Sequence, residues 1–229
     1  MAAARRFRVF EVLIWAALWG IFEATAGYLL HLLPVNIGWL IWYPAACFFM
    51  ANAYRRTGSP ASIALVGLLS ASIKLLNLLL PGRIDRVINP AVSIVFESLT
   101  MAAAAAVLRR RARPMTPAAQ AIAALLMNTG WRVLYMLYLL FLVPDWMRQI
   151  SVISSAEQLF PFLVTQNLAT SAVLYAGYLC RSIALRPLAA AERKLANALR
   201  MVPRRGARAI KFGAAGIMLC FWVLLDFLL

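Results

Sequence analysis

The sequence predicts an all-α, polytopic transmembrane bundle of six helices followed by a seventh at the C-terminus, and three observations lead there. Of 229 residues, 64% are hydrophobic and 14% charged, against roughly half and a quarter in a soluble globular chain. The apolar residues gather into seven runs, each close to the ~20 residues a helix needs to cross a ~30 Å hydrocarbon layer. The basic residues fall between those runs, mostly on alternate connections. This composition excludes secreted, disordered and coiled-coil classes. Cys47, Cys180 and Cys220 are far apart, with neither metal-ligand nor disulfide-framework spacing, and read as packing thiols.

The first run, residues 10–33, follows the basic sequence RRFR. Glu11 and Glu23 interrupt it and it continues past the A-T-A at 24–26, so it reads as a retained span and not as a cleaved signal peptide. The second, 37–54, carries Trp39, Trp42 and Tyr43 near its start, expected to anchor at the interface, and stops at Arg55 and Arg56. The third covers 61–80. The fourth, 90–108, and the fifth, 117–143, open on Pro90 and Pro117, where the missing N–H of a first helical residue costs nothing. The sixth covers 159–180 and the seventh 212–229.

A basic stretch, 182–211, separates the last two. Leu188, Leu195, Leu199 and Val202 recur along one side of it, so it is expected either to lie on the membrane surface against anionic lipids or to be a solvated linker helix. Each basic residue there adds on the order of 1 kcal/mol of attraction to anionic head groups. Three units follow: a six-helix domain over 1–181, the linker over 182–211 and a final helix over 212–229.

Lysine and arginine mark the cytoplasmic connections of a membrane protein. Eighteen of the 23 lie on one side: Arg5, Arg6 and Arg8, then Arg55 and Arg56, then four from Arg109 to Arg113, then nine from Arg181 to Lys211. Arg83, Arg86 and Arg148 lie on the other, and Lys74 and Arg132 fall inside spans. The N-terminus is therefore expected in the cytoplasm of a bacterial cell and, after seven crossings, the C-terminus outside. The two longest external connections, 82–90 and 144–158, are candidate lids.

An ionisable group at the bilayer centre costs roughly 2.5–3.5 kcal/mol on insertion scales, so such residues should face the protein interior. The chain has Glu23 in the first span, Lys74 and Asn77 in the third, Glu97 in the fourth, Asn128 and Arg132 in the fifth, and Gln166 and Asn167 in the sixth. With the orientation above, all eight converge on the outer half of the membrane, and two acids against two bases leave the group formally neutral. Two readings follow. In one, an outward-facing polar pocket takes a small polar or zwitterionic molecule. In the other, the charges only hold the bundle together.

Catalysis has little support. The single histidine, His31, stands outside any metal-ligand motif, and no nucleophile elbow or P-loop is present, so no catalytic residue, cofactor or metal is expected. Small residues Ala16, Gly20 and Ala24 recur every four positions in the first span, a register that lets another helix approach closely.

The arrangement resembles the substrate-binding membrane subunits, or S components, of energy-coupling factor uptake transporters, over residues 1–181. Such subunits have six helices, a cytoplasmic N-terminus and an outward-facing pocket. The resemblance implies that Glu97, Arg132, Gln166 and Asn167 line that pocket. It also implies that Ala16, Gly20 and Ala24 meet a coupling subunit, which works with separate ATPases; Gly20 stands where the family has its middle alanine, and the seventh helix is an addition. The function expected is capture of a vitamin-like micronutrient for uptake, with no nucleic acid involved. The alternative class is a structural or assembly protein of the membrane.

Overall fold

The computed structural model describes residues 9–31, 37–79, 83–110, 114–200 and 204–228, and among them all regular structure is helical. The helices are α1 (Val9–His31), α2 (Gly38–Thr57), α3 (Pro60–Leu75) with a 3₁₀ turn after it (Leu76–Leu79), α4 (Asp85–Leu108) and α5 (Pro117–Phe141). Two short helices, α6 (Asp145–Gln149) and α7 (Ala156–Phe160), lead through a π-helical turn (Pro161–Thr165) into α8 (Gln166–Leu179). α9 (Arg181–Arg200) and α10 (Arg204–Leu228) follow.

Among the described residues, four helical stretches are long and apolar enough to cross a membrane: Pro60–Leu79, Asp85–Leu108, Pro117–Phe141 and Ala156–Leu179. A shorter apolar segment, Ala209–Leu225, occupies most of α10. In α2 the tryptophans, Tyr43, Pro44, Asn52 and the terminal arginines dilute the aliphatic content, so length is present without equal hydropathy.

Burial is distributed as a lipid solvent requires, apolar outside and polar inside. Leu68, Leu99, Leu126 and Leu168, one from each of the four apolar stretches, are exposed. Ser70, Glu97, Ser98, Asn128, Arg132 and Asn167 are buried on the same helices. Trp15, Trp19, Met50, Ile63, Val66 and Ile94 fill the remaining core.

Two helix boundaries and one connection differ from the sequence reading. Pro90 does not open α4 but sits in its second turn. The helix begins earlier, with Asp85 in the first turn, where a carboxylate favours the helix dipole, and one backbone bond is forgone at Pro90. Arg83 donates to both Asp85 oxygens at 3.0 and 2.8 Å, a bond that raises the guanidinium above its ordinary range. The connection 144–158 is not a free lid: Met147 is buried against Leu139, Val143 and Val152, and Arg148 donates to the Val143 carbonyl. α10 begins eight residues before the apolar run at Phe212, because apolarity marks depth in a membrane whereas arginine, alanine and lysine all propagate a helix.

Two contacts explain how the helices approach. Gly67 of α3 faces Ser98 of α4 so closely that an added Cβ would stand 2.2 Å from the serine Cβ. Gly20 of α1 faces Trp222 of α10, and a Cβ there would meet the indole at 1.6 Å. Ala16 is also fully buried. The face that the resemblance gives to a coupling subunit is thus occupied, at Gly20, by this chain's own last helix. The side chains of Ala24, His31, Leu188, Leu195, Leu199 and Val202, and the residues Arg5, Arg6, Arg8, Arg111 and Arg113, lie outside the described residues.

The Gly20 contact makes a prediction. Gly20→Ala is expected to destabilise the purified protein by about 1–3 kcal/mol through overpacking, measured by unfolding in detergent. Removing the indole with Trp222→Ala in the same chain is expected to cancel most of that additional loss, whereas additive effects would place the two residues out of contact.

Candidate functional site

Asn128 of α5 is fully buried and is the centre of the polar interior. Its amide nitrogen donates to the Asn167 carbonyl at 2.9 Å and to Ser171 Oγ at 3.0 Å, both on α8. Its Oδ1 accepts from Trp131 Nε1 at 2.8 Å and Arg132 Nε at 3.2 Å. Two donors and two acceptor positions are all that an amide side chain has. Asn128 is therefore saturated from within the protein. Asn167 is similarly engaged, donating to Thr129 Oγ1 at 2.8 Å and to the Leu163 carbonyl at 3.1 Å, while its Oδ1 accepts from Ser171 at 3.4 Å.

Arg132, one turn along α5 from Asn128, is 1% exposed. Its guanidinium carbon lies 4.8 Å from the centres of both the Trp131 and Phe162 rings. Each such cation–π contact is worth on the order of 2 kcal/mol when desolvated. Arg132 Nη1 donates to the Phe162 carbonyl at 2.7 Å. The local fold frees that carbonyl. Pro161 begins the π-helical turn, and the Gln166 N–H donates to Pro161 O, five residues back, although in an α-helix it would donate to Phe162. The widened turn thus turns a backbone acceptor toward the buried cation.

Glu97 of α4 is 8% exposed and lies within electrostatic reach of Arg132 and of Glu23 on α1. Three helices therefore bring two carboxyl groups and one guanidinium to a shared interior. Tyr43 of α2, expected at the interface, is instead 1% exposed and tilted against the Trp131 ring at 5.7 Å. Its hydroxyl lies beside the Cys47 and Thr100 side chains and makes no well-aligned hydrogen bond. Thr100 already donates to the Phe96 and Glu97 carbonyls. Ser70 Oγ on α3 is likewise buried and makes no hydrogen bond within the protein.

The other sequence-chosen residues are less central. Lys74 is half-buried near the end of α3 and is engaged within the protein. Asn77, in the 3₁₀ turn, has a buried Oδ1 without a hydrogen bond. Gln166 adjoins Asn167 in sequence, is half-buried, and makes no side-chain hydrogen bond to the group. Sequence reasoning missed Tyr43, Trp131 and Phe162. The i, i+1 pair Trp131–Arg132 and a proline ahead of the α8 amides were the available signals. No family model, curated protein or solved structure matches the chain.

The saturation of Asn128 carries its own test. Asn128→Leu leaves Trp131 Nε1 and Arg132 Nε without their shared acceptor, and is expected to cost about 2 kcal/mol or more, since each orphaned buried donor costs about 1–3 kcal/mol. Detergent unfolding reads the loss; a variant as stable as the parent would contradict the bonding described.

Proposed function

We propose that the chain is a membrane-embedded binding subunit of an uptake system, taking a small polar or zwitterionic molecule into the interior bounded by α1 to α5. In this reading six helices and the apolar part of α10 cross the bilayer, and the basic connections mark the cytoplasmic side. The observation that carries it is that Glu97 lies within electrostatic reach of both Glu23 and Arg132, on two other helices, in an interior that also contains two buried hydroxyls, Tyr43 Oη and Ser70 Oγ, without a well-aligned hydrogen bond. A buried polar group without a partner costs about 1–3 kcal/mol, which a ligand supplying the partner recovers. Asn128 and Asn167 act as positioning residues in this scheme and not as ligand contacts, because their bonds are already made. Coupling and ATPase subunits supply the energy, as the resemblance implies.

One observation favours a second reading, that of a structural or assembly protein. Arg132 is fixed between two rings and a carbonyl and Asn128 is saturated, so the α5–α8 half supports itself without a ligand.

A thermal-denaturation panel of vitamins and amino-acid-like zwitterions on the purified full chain separates the two. Ligand at a hundred times its Kd stabilises by about 2.7 kcal/mol, which for a chain of this size raises Tm by about 5–10 °C. The uptake reading expects one compound class to do this and Glu97→Gln to abolish the shift. A flat response across the panel favours the structural role.

A further inference from the structure

α9 contributes nothing to the described hydrophobic core, and among the described residues its main contact is with the end of α8, which it follows. Its sequence is divided nonetheless. At 3.6 residues per turn, Leu185, Leu188, Leu195 and Leu199 take register positions on one side of the helix, and Arg186, Arg193 and Lys194 take the other. Those three basic side chains are exposed, whereas Leu185 is half-buried. Such a division marks a helix that meets an apolar surface on one side and charge or water on the other.

Where the helix is held identifies that surface. Leu179, the last residue of α8, closes an apolar stretch long enough to cross a membrane, and the next apolar segment begins at Ala209 in α10. Both ends of α9 lie at the same end of the bundle. Arg181 borders a cavity with Leu108, where α4 ends, and with Phe48 of α2. Phe48 packs edge-on against Trp15, and Phe212 of α10 against Phe10, both in the N-terminal part of α1. A 20-residue helix spans about 30 Å, so α9 runs along that end of the bundle between two membrane segments. Its charge is complementary to an anionic surface: five basic residues against one carboxylate, Glu192. Glu192 falls within the leucine register, which keeps the helix at head-group depth.

We infer that α9 is a membrane-surface helix, lying along the basic face of the bilayer with its leucine side toward the acyl chains and Arg186, Arg193 and Lys194 among anionic lipid head groups. The inference rests on the membrane placement of the bundle and of α10 given above, and not on any ligand of the polar interior. Phosphate oxygens suit arginine because the planar guanidinium donates two parallel bonds to them. The surface is one that the membrane itself supplies, at high local concentration.

The test places the full chain in lipid nanodiscs and reads amide hydrogen exchange of α9 by mass spectrometry, with peptides from α4 and α5 as the embedded reference. Discs of phosphatidylcholine alone are compared with discs in which phosphatidylglycerol of the same acyl chains replaces part of it, and inorganic phosphate added to the neutral discs forms a third arm. The inference expects α9 to exchange about tenfold more slowly in the anionic discs, with the reference peptides unchanged. The joint change Arg186→Gln, Arg193→Gln and Lys194→Gln, or salt at ~0.5 M, is expected to remove that difference. Leu188→Gln with Leu195→Gln is expected to speed α9 exchange in the anionic discs as well. Equal exchange of α9 in the two kinds of disc, a difference that survives both salt and the triple variant, or slowing by inorganic phosphate alone would each overturn the inference. A chain whose α4, α5 and α10 peptides exchange freely in the discs would instead overturn the membrane placement, and the inference with it.

Discussion

The need to bury a permanent cation in an apolar bundle governs most of this structure. Arginine stays protonated in proteins, and a charge at the bilayer centre costs several kcal/mol unless the protein replaces its water. At Arg132 the replacement is assembled from three sources: the Asn128 side chain, the Phe162 carbonyl and two ring faces. Each brings its own requirement. Asn128 must be oriented by Ser171 and the Asn167 carbonyl, which docks α8 on α5. The Phe162 carbonyl must be released from its helix, which requires the π-helical turn at Pro161. Glu97, farther off on α4, adds a carboxyl group within electrostatic reach.

The same economy explains the division of labour between the two halves of the interior. The α5–α8 half spends most of its hydrogen-bonding capacity internally. The half toward α1 to α4 contains both carboxyl groups, Glu23 and Glu97, and the buried hydroxyls of Tyr43 and Ser70, which make no well-aligned hydrogen bond. A saturated scaffold beside an unsaturated wall is an arrangement in which binding a polar guest need not dismantle the fold. Small residues set the spacing of that wall, through Gly67 against Ser98 and Gly20 against Trp222.

Much of the architecture was legible from the chain. Apolar runs located the helices because lipid demands length and hydropathy together, and the polar positions Glu97, Asn128, Arg132 and Asn167 were identified as interior from cost alone; all four are buried. What these groups bond to was not legible. Nothing in the spacing of Asn128 and Asn167 says that Asn128 is saturated and Asn167 nearly so, because that depends on the rotation of α8 about its axis. Tyr43 read as an interfacial anchor since aromatics near a span end usually are, and only its packing on Trp131 reveals otherwise. Pro90 and Pro161 show the same limit from the backbone side: one is absorbed inside a helix, the other widens a turn, and local sequence does not distinguish them.

A double-mutant cycle on Glu97 and Arg132 tests the central claim most directly, using unfolding free energies of the purified chain with Glu97→Gln, Arg132→Gln and both together. A shared interior predicts that the combined loss falls short of the sum of the single losses by about 1 kcal/mol or more, because in the combined variant neither group is left without its partner. Losses that add to within about 0.5 kcal/mol would mean that the two groups do not sense each other, and the organisation described around Arg132 would not stand.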